Sequence, residues 1–195
     1  MKFVCIGDSL TFGYGVAKNQ CWTRILEGKF NTEVVNKGIN GQLTSDMTLR
    51  YNRDVIQEKP DHVIIMGGTN DFLHGMPLNT VIDNIIFMVN LTLEKNIVPM
   101  IGIQMLTDPI MAARRWSDDT DYAEVNNKIS LYREWAYNYS KSNNIKIFDF
   151  YDAFNRYLMN NSSDTLYFDG LHPTPEGHEL MAAVIMHELL KREAS

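Results

Sequence analysis

The chain has 195 residues, a length that fits one domain over residues 1–195 and would leave two cramped. Hydrophobic residues make up 45% and charged ones 22%, proportions of a folded globular protein, which excludes a disordered or low-complexity chain. The net charge is −6, and no basic cluster exceeds the pairs Arg114-Arg115 and Lys191-Arg192, so a nucleic-acid partner is not expected.

Elements are expected in alternation along the chain. A first strand over residues 2–6 holds the apolar run Phe3-Val4-Cys5-Ile6 and stops at Gly7. A helix from about Trp22 to Phe30 follows, then a strand over 33–37 and a helix from about Ser45 to Glu58. The third strand, 62–67, contains His62-Val-Ile-Ile-Met66, a continuous apolar run suited to a strand covered on both faces. A helix opening at Pro77 carries Val81, Ile85, Met88 and Leu91 on one side. Strand four, 98–104, leads into a long connection from Leu106 to Asp121, read as a lid or specificity loop. A helix from about Tyr122 to Ser142, a strand over 145–149 and a helix after Pro175 complete the order. Strand-helix alternation implies right-handed crossovers and an α/β three-layer sandwich. Ligand sites of such sheets lie at the carboxyl ends of the strands.

Four short blocks fall on that edge. Gly7-Asp8-Ser9-Leu10 follows strand one, and Asn36-Lys37-Gly38-Ile39-Asn40-Gly41 follows strand two. Gly67-Gly68-Thr69-Asn70-Asp71 follows strand three, and Asp169-Gly170-Leu171-His172-Pro173 precedes the last helix. Together they supply the parts of an acyl-transfer site. Ser9 is the candidate nucleophile; a free hydroxyl is a poor one and needs an adjacent base. His172 is the candidate base, because an imidazole titrates near neutral pH. Asp169, three residues earlier, is placed to hold that imidazole in one tautomer. The backbone N–H groups of Ser9 and Gly41 and the side-chain amide of Asn70 are the candidate oxyanion donors. Phe12, Phe72 and Leu171 neighbour these blocks, and Met111 and Trp116 lie on the connection from Leu106 to Asp121; these are the candidate pocket walls.

On these blocks the chain resembles the SGNH hydrolases, the GDSL family of esterases and lipases. Ser9 within Gly-Asp-Ser-Leu matches the family's serine block, Gly41 its glycine block, Asn70 its asparagine block, and Asp169 with His172 its histidine block. The match runs in order from residue 7 to 173. The resemblance implies a flavodoxin-like sheet of about five parallel strands, serine esterase chemistry and no metal or other cofactor. The choice of Gly41 over Gly38 comes from the family's spacing. The substrate would be a small-molecule ester, with a short acyl group as the first expectation. A sugar O-acetyl group, a lysophospholipid or a thioester are alternatives, and transfer of the acyl group to an alcohol differs only in the acceptor. From another class, the same loops could serve a flavodoxin-like module that binds a phosphate ligand without catalysis.

Other motifs fail on spacing. Gly13-Tyr14-Gly15 invites a dinucleotide reading, but Lys18 stands where the third glycine belongs. His178-Glu179 and His187-Glu188 begin like a zinc helix, yet the second histidine position holds Ala182 or Lys191. No run approaches the about eighteen apolar residues of a membrane span. The apolar run after Lys2 is shorter than a secretory core, so the expectation is a cytoplasmic chain, with Cys5 and Cys21 as free thiols.

Overall fold

Alternation within the strands sets the architecture. In the first strand, Val4 and Ile6 face one way and Phe3 and Cys5 the other, and all four are buried. Both faces must therefore be covered. The computed structural model describes residues 1–191, so Arg192 of the Lys191-Arg192 pair lies outside the described residues. The strands are β1 (Lys2–Gly7), β2 (Glu33–Gly38), β3 (His62–Met66), β4 (Val98–Ile103) and β5 (Lys146–Asp149). They pair in parallel in the order β2-β1-β3-β4-β5, with Val4 opposite Val35 on one side and Val63 on the other. This is the flavodoxin-like order, and it reverses direction between β1 and β3.

Three helices cover one face. These are α3 (Thr44–Asp54), α5 (Leu78–Glu94) and α7 (Tyr122–Asn143). They pack Met47, Tyr51, Val81, Ile85, Ile129 and Tyr132 against Val4, Ile6, Val63, Ile65 and Ile101. The opposite face is covered by α2 (Trp22–Phe30), α8 (Phe150–Leu158) and α9 (Pro175–Leu190). There Trp22, Leu26, Phe154, Met181 and Ile185 enclose Phe3, Cys5, Ile64 and Met66. Both Cys5 and Cys21 are buried free thiols. Among the described residues no helix is long and apolar enough to cross a membrane.

Periodicity located the long helices but not the short ones. The short helices α1 (Ser9–Phe12), α4 (Thr69–Leu73), α6 (Pro109–Arg115) and α8 leave no periodic signal. At four to nine residues they span about one to two and a half turns, too few for an apolar repeat to declare itself. The connection Leu106 to Asp121 is accordingly not all loop, because α6 occupies its centre with Asp108 as its cap. The helix expected to reach Glu58 ends at Asp54, then tightens into a 3₁₀ turn, Ile56–Glu58, ahead of Pro60.

One side chain draws the carboxyl edge together. The guanidinium of Arg50, on α3, is 6% exposed. It donates to the carbonyl of Gly7 at 3.0 Å and of Lys37 at 2.8 Å, which are the ends of β1 and β2. It also pairs with Asp54 at 3.0 Å, one helical turn away.

Candidate active site

The chain leaves β1 and enters α1 without a loop. Asp8 makes this possible, since its Oδ1 accepts the Leu10 N–H at 2.9 Å and caps the helix. Ser9 becomes the first helical residue, 7% exposed, at the edge of the sheet. Burial pushes the Asp8 carboxyl up to about 6, and its Oδ2 has no protein partner.

The second block is fastened under the first. Asn36 donates from Nδ2 to the Thr11 carbonyl at 2.6 Å and accepts the Gly38 N–H at 2.8 Å. Gly38 lies against the backbone of α1, where an added Cβ would come 2.1 Å from the Phe12 nitrogen. Gly38 is thus a close-packing glycine. Gly41 differs: it has φ +74°, nothing lies within 4 Å of where its Cβ would be, and it lines the pocket beside Ser9.

The third block is tied to the second. Asn70 donates one Nδ2 hydrogen to the Gln42 carbonyl at 3.1 Å, which orients the amide and leaves its other hydrogen unused. Asp71, next along, accepts from the Thr44 N–H at 2.9 Å and the Thr44 hydroxyl at 2.6 Å. These bonds lash α4 to the start of α3. Burial raises the Asp71 carboxyl above its ordinary value, against the lowering effect of the Thr44 bonds.

The last block closes the arrangement. His172 Nε2 lies 2.9 Å from Ser9 Oγ, across 163 positions of sequence. Its Nδ1 lies 2.8 Å from Asp169 Oδ2. The other carboxylate oxygen, Oδ1, accepts the N–H groups of Leu171 at 2.9 Å and His172 at 2.8 Å. Burial raises the Asp169 carboxyl, but the bonds from His172 outweigh it and hold the group below its ordinary range. Hydroxyl, imidazole and carboxylate therefore form one continuous line, buried to within 5–7% exposure.

A cavity of about 390 Å³ opens above this line at the switch between β1 and β3. Ser9, Gly41, Asn70 and His172 line it, as do Trp116 and Leu171. Three residues read as pocket walls lie elsewhere. Phe72 is 2% exposed in the core beneath α4, because it sits on the helix face opposite the pocket. Phe12 is 51% exposed, its backbone pinned against Gly38 and its ring turned outward. Met111 lines a separate groove on α6 with Arg114 and Arg115. Sequence reasoning missed Tyr14, Leu73 and His74, which do line the cavity. Leu73 and His74 stand three and four places after Asn70, a helical spacing that becomes readable once α4 is known.

The GDSL-like Lipase/Acylhydrolase family model matches residues 5–180. The chain belongs to this family. It is an ester hydrolase of the GDSL type. It is 26% identical to an arylesterase of Vibrio mimicus, over 97% of this chain and 88% of the relative. It is 24% identical to an acetylxylan esterase of Geobacillus stearothermophilus, over 80% of this chain and 71% of that one. Among solved structures, a lipolytic protein of the G-D-S-L family from Desulfitobacterium hafniense DCB-2 superposes with a TM-score of 0.82 at 30% identity. That alignment covers 96% of this chain and 98% of the other. Among the described residues of this GDSL hydrolase, no three His, Cys, Asp or Glu side chains are grouped to hold a metal ion.

Proposed function

We propose that this hydrolase cleaves short-acyl carboxylic esters through an acyl-enzyme on Ser9, with His172 as general base and acid and Asp169 as its orienting carboxylate. The observation that carries the reading is the line from Ser9 Oγ to His172 Nε2 at 2.9 Å and from His172 Nδ1 to Asp169 Oδ2 at 2.8 Å.

The cycle follows from these atoms. Ser9 Oγ attacks the ester carbonyl while its proton passes to His172 Nε2. Negative charge gathers on the carbonyl oxygen, within reach of the Ser9 and Gly41 N–H groups and the spare Asn70 hydrogen. The C–O bond to the alcohol breaks, and His172 returns its proton to the departing oxygen. A water then gives a proton to Nε2 and attacks the acyl carbon. Collapse frees the acid, and the proton returns to Ser9. Asp169 stays ionised throughout, consistent with its lowered pKa.

The acyl length is argued from space. A cavity of about 390 Å³ lies near the small end of ligand pockets, and it must hold both sides of the ester. A sugar O-acetyl ester is the second reading, favoured by Trp116, which is 49% exposed at the cavity and offers a ring face for stacking. The acetylxylan esterase relative agrees with it.

The test is a fluorophosphonate label followed by an ester panel. The native protein should take up the label at Ser9, and Ser9→Ala should not, while keeping its circular dichroism. Turnover of p-nitrophenyl esters should fall as the acyl chain grows from two to about eight carbons. Equal labelling of Ser9→Ala would end the proposal.

A further inference from the structure

The sequence Gly13-Tyr14-Gly15 failed as a nucleotide-binding motif, and the fold gives it another use. Gly13 caps α1 at φ +86° and Gly15 turns again at φ +84°. The two left-handed turns bracket Tyr14 and bend the loop onto Phe168. A Cβ on Gly15 would come 2.3 Å from a Phe168 ring carbon, so the loop can press this close only with glycine there.

The result is an imidazole surrounded by rings from three separate elements. The ring centroid of Tyr14 lies 4.5 Å from that of His172, tilted by 44°. Trp116, just past α6, lies 5.5 Å away at 54°. Phe168, the residue before Asp169, lies 5.9 Å away at 26°. Tyr14 also contacts Phe168 and Trp116, at 6.1 Å and 6.3 Å. All three distances to His172 fall within the about 6 Å over which an aromatic ring attracts a cation.

We propose that Tyr14, Trp116 and Phe168 form a collar of positioning residues that stabilises His172 as the imidazolium, the state it enters when it takes the Ser9 proton. The proposal rests on the catalytic role assigned to His172. Its physical basis is that His172 is 7% exposed, so water does little to solvate the charge that forms there. Asp169 answers that charge on the Nδ1 side. The ring quadrupoles answer it on the other sides, with no unit charge of their own to complicate the transfer.

Other titratable groups face the same imidazole. Asp8 acts on it as an anion when ionised, and His178 acts on it as a like charge only when protonated. His74 lines the same cavity, with its Nδ1 at 2.7 Å from the Asn70 carbonyl oxygen. Arg114 and Arg115, though next to Trp116 in sequence, line the separate groove with Asp108 and Asp164. The variants below leave all of these unchanged.

The test is an NMR titration of the His172 ring, assigned by its loss in His172→Asn, in the native protein and in Tyr14→Leu, Phe168→Leu and Tyr14→Phe. Removing a ring should move the His172 midpoint to lower pH by about 0.5 to 1, and should lower kcat on a short p-nitrophenyl ester about three- to tenfold. Tyr14→Phe keeps the ring and should keep the native midpoint. Tyr14 and Phe168 are 36% and 39% exposed, so each leucine variant can be made without opening the core. A midpoint that stays put in both leucine variants would overturn the collar. So would one that rises, because the rings would then only be keeping water away from a charge they do not stabilise. The titration reads the ring without turnover, so failure of the collar is distinct from failure of the esterase reading, which would show as a native protein that takes no fluorophosphonate.

Discussion

At the scale of single residues, the site depends on side chains whose hydrogen bonds are already committed before substrate arrives. Asn70 is the clearest case. Its amide is held by the Gln42 carbonyl, so the remaining N–H points from a fixed mount. Asn70→Ala should lower kcat on a short ester by about 10²–10³, with a smaller change in KM, because the donor is needed most when charge sits on the oxygen. An unchanged kcat would remove Asn70 from the oxyanion site. The residues singled out in the sequence for their chemical type are ones the fold places side by side. Serine, histidine, aspartate and asparagine were legible because few side chains can do their work. Pocket walls were legible only in part: Trp116 and Leu171 line the cavity, while Phe12 and Phe72, close to Ser9 and Asn70 in sequence, have their rings directed elsewhere by one-turn helices.

At the scale of elements, the question is what holds four strand-end loops in register. Arg50 does much of this, since it reaches the ends of β1 and β2 from α3 and pairs with Asp54 in a nearly dry setting. Arg50→Met should destabilise the fold by about 3 kcal/mol in urea unfolding, because two strand-end carbonyls lose their donor and Asp54 is left with Arg53 alone. Asp54 adds an acid dependence. The hydrogen bond from Arg53, joined by that from Arg50, lowers its carboxyl to about 2. Its contribution is therefore complete above the ordinary carboxylate range and is lost as pH falls toward 2. Asp54→Asn should show a weaker loss of thermal stability than the native protein between pH 4 and 2. The long helices were legible in advance from their apolar stripes. The tie through Arg50 was not, because an arginine on an amphipathic helix reads as solvent-facing until the strand ends are seen beneath it.

Across the whole molecule, two buried groups on different layers oppose each other. His178, on α9 against α2, is fully buried, and burial lowers its pKa to about 4. The unfolded chain takes up that proton near 6.5 and the folded chain does not, so this group removes stability as pH falls from 6.5 to 4. Asp8 does the reverse. The folded protein takes up its proton at about 6 and the unfolded chain only near the ordinary 3.8, so Asp8 adds stability as pH falls through that window. Relative to the native protein, His178→Leu should thus gain thermal stability as pH drops from 6.5 to 4, and Asp8→Asn should lose it. Shifts of the same sign in both variants would contradict the burial assigned to one of them.

Strand order in the chain, the two-sided burial of the sheet and the residue types at its carboxyl edge were set by local rules. Apolar runs too continuous for a one-faced strand need two layers of helices, and right-handed crossovers then put every following loop on one edge. That much required no coordinates. Distance between remote side chains is another matter, because it depends on packing summed over the whole core. Only the folded molecule could bring the Ser9 hydroxyl within 2.9 Å of an imidazole 163 positions away, or turn a glycine-bracketed tyrosine into a wall beside it.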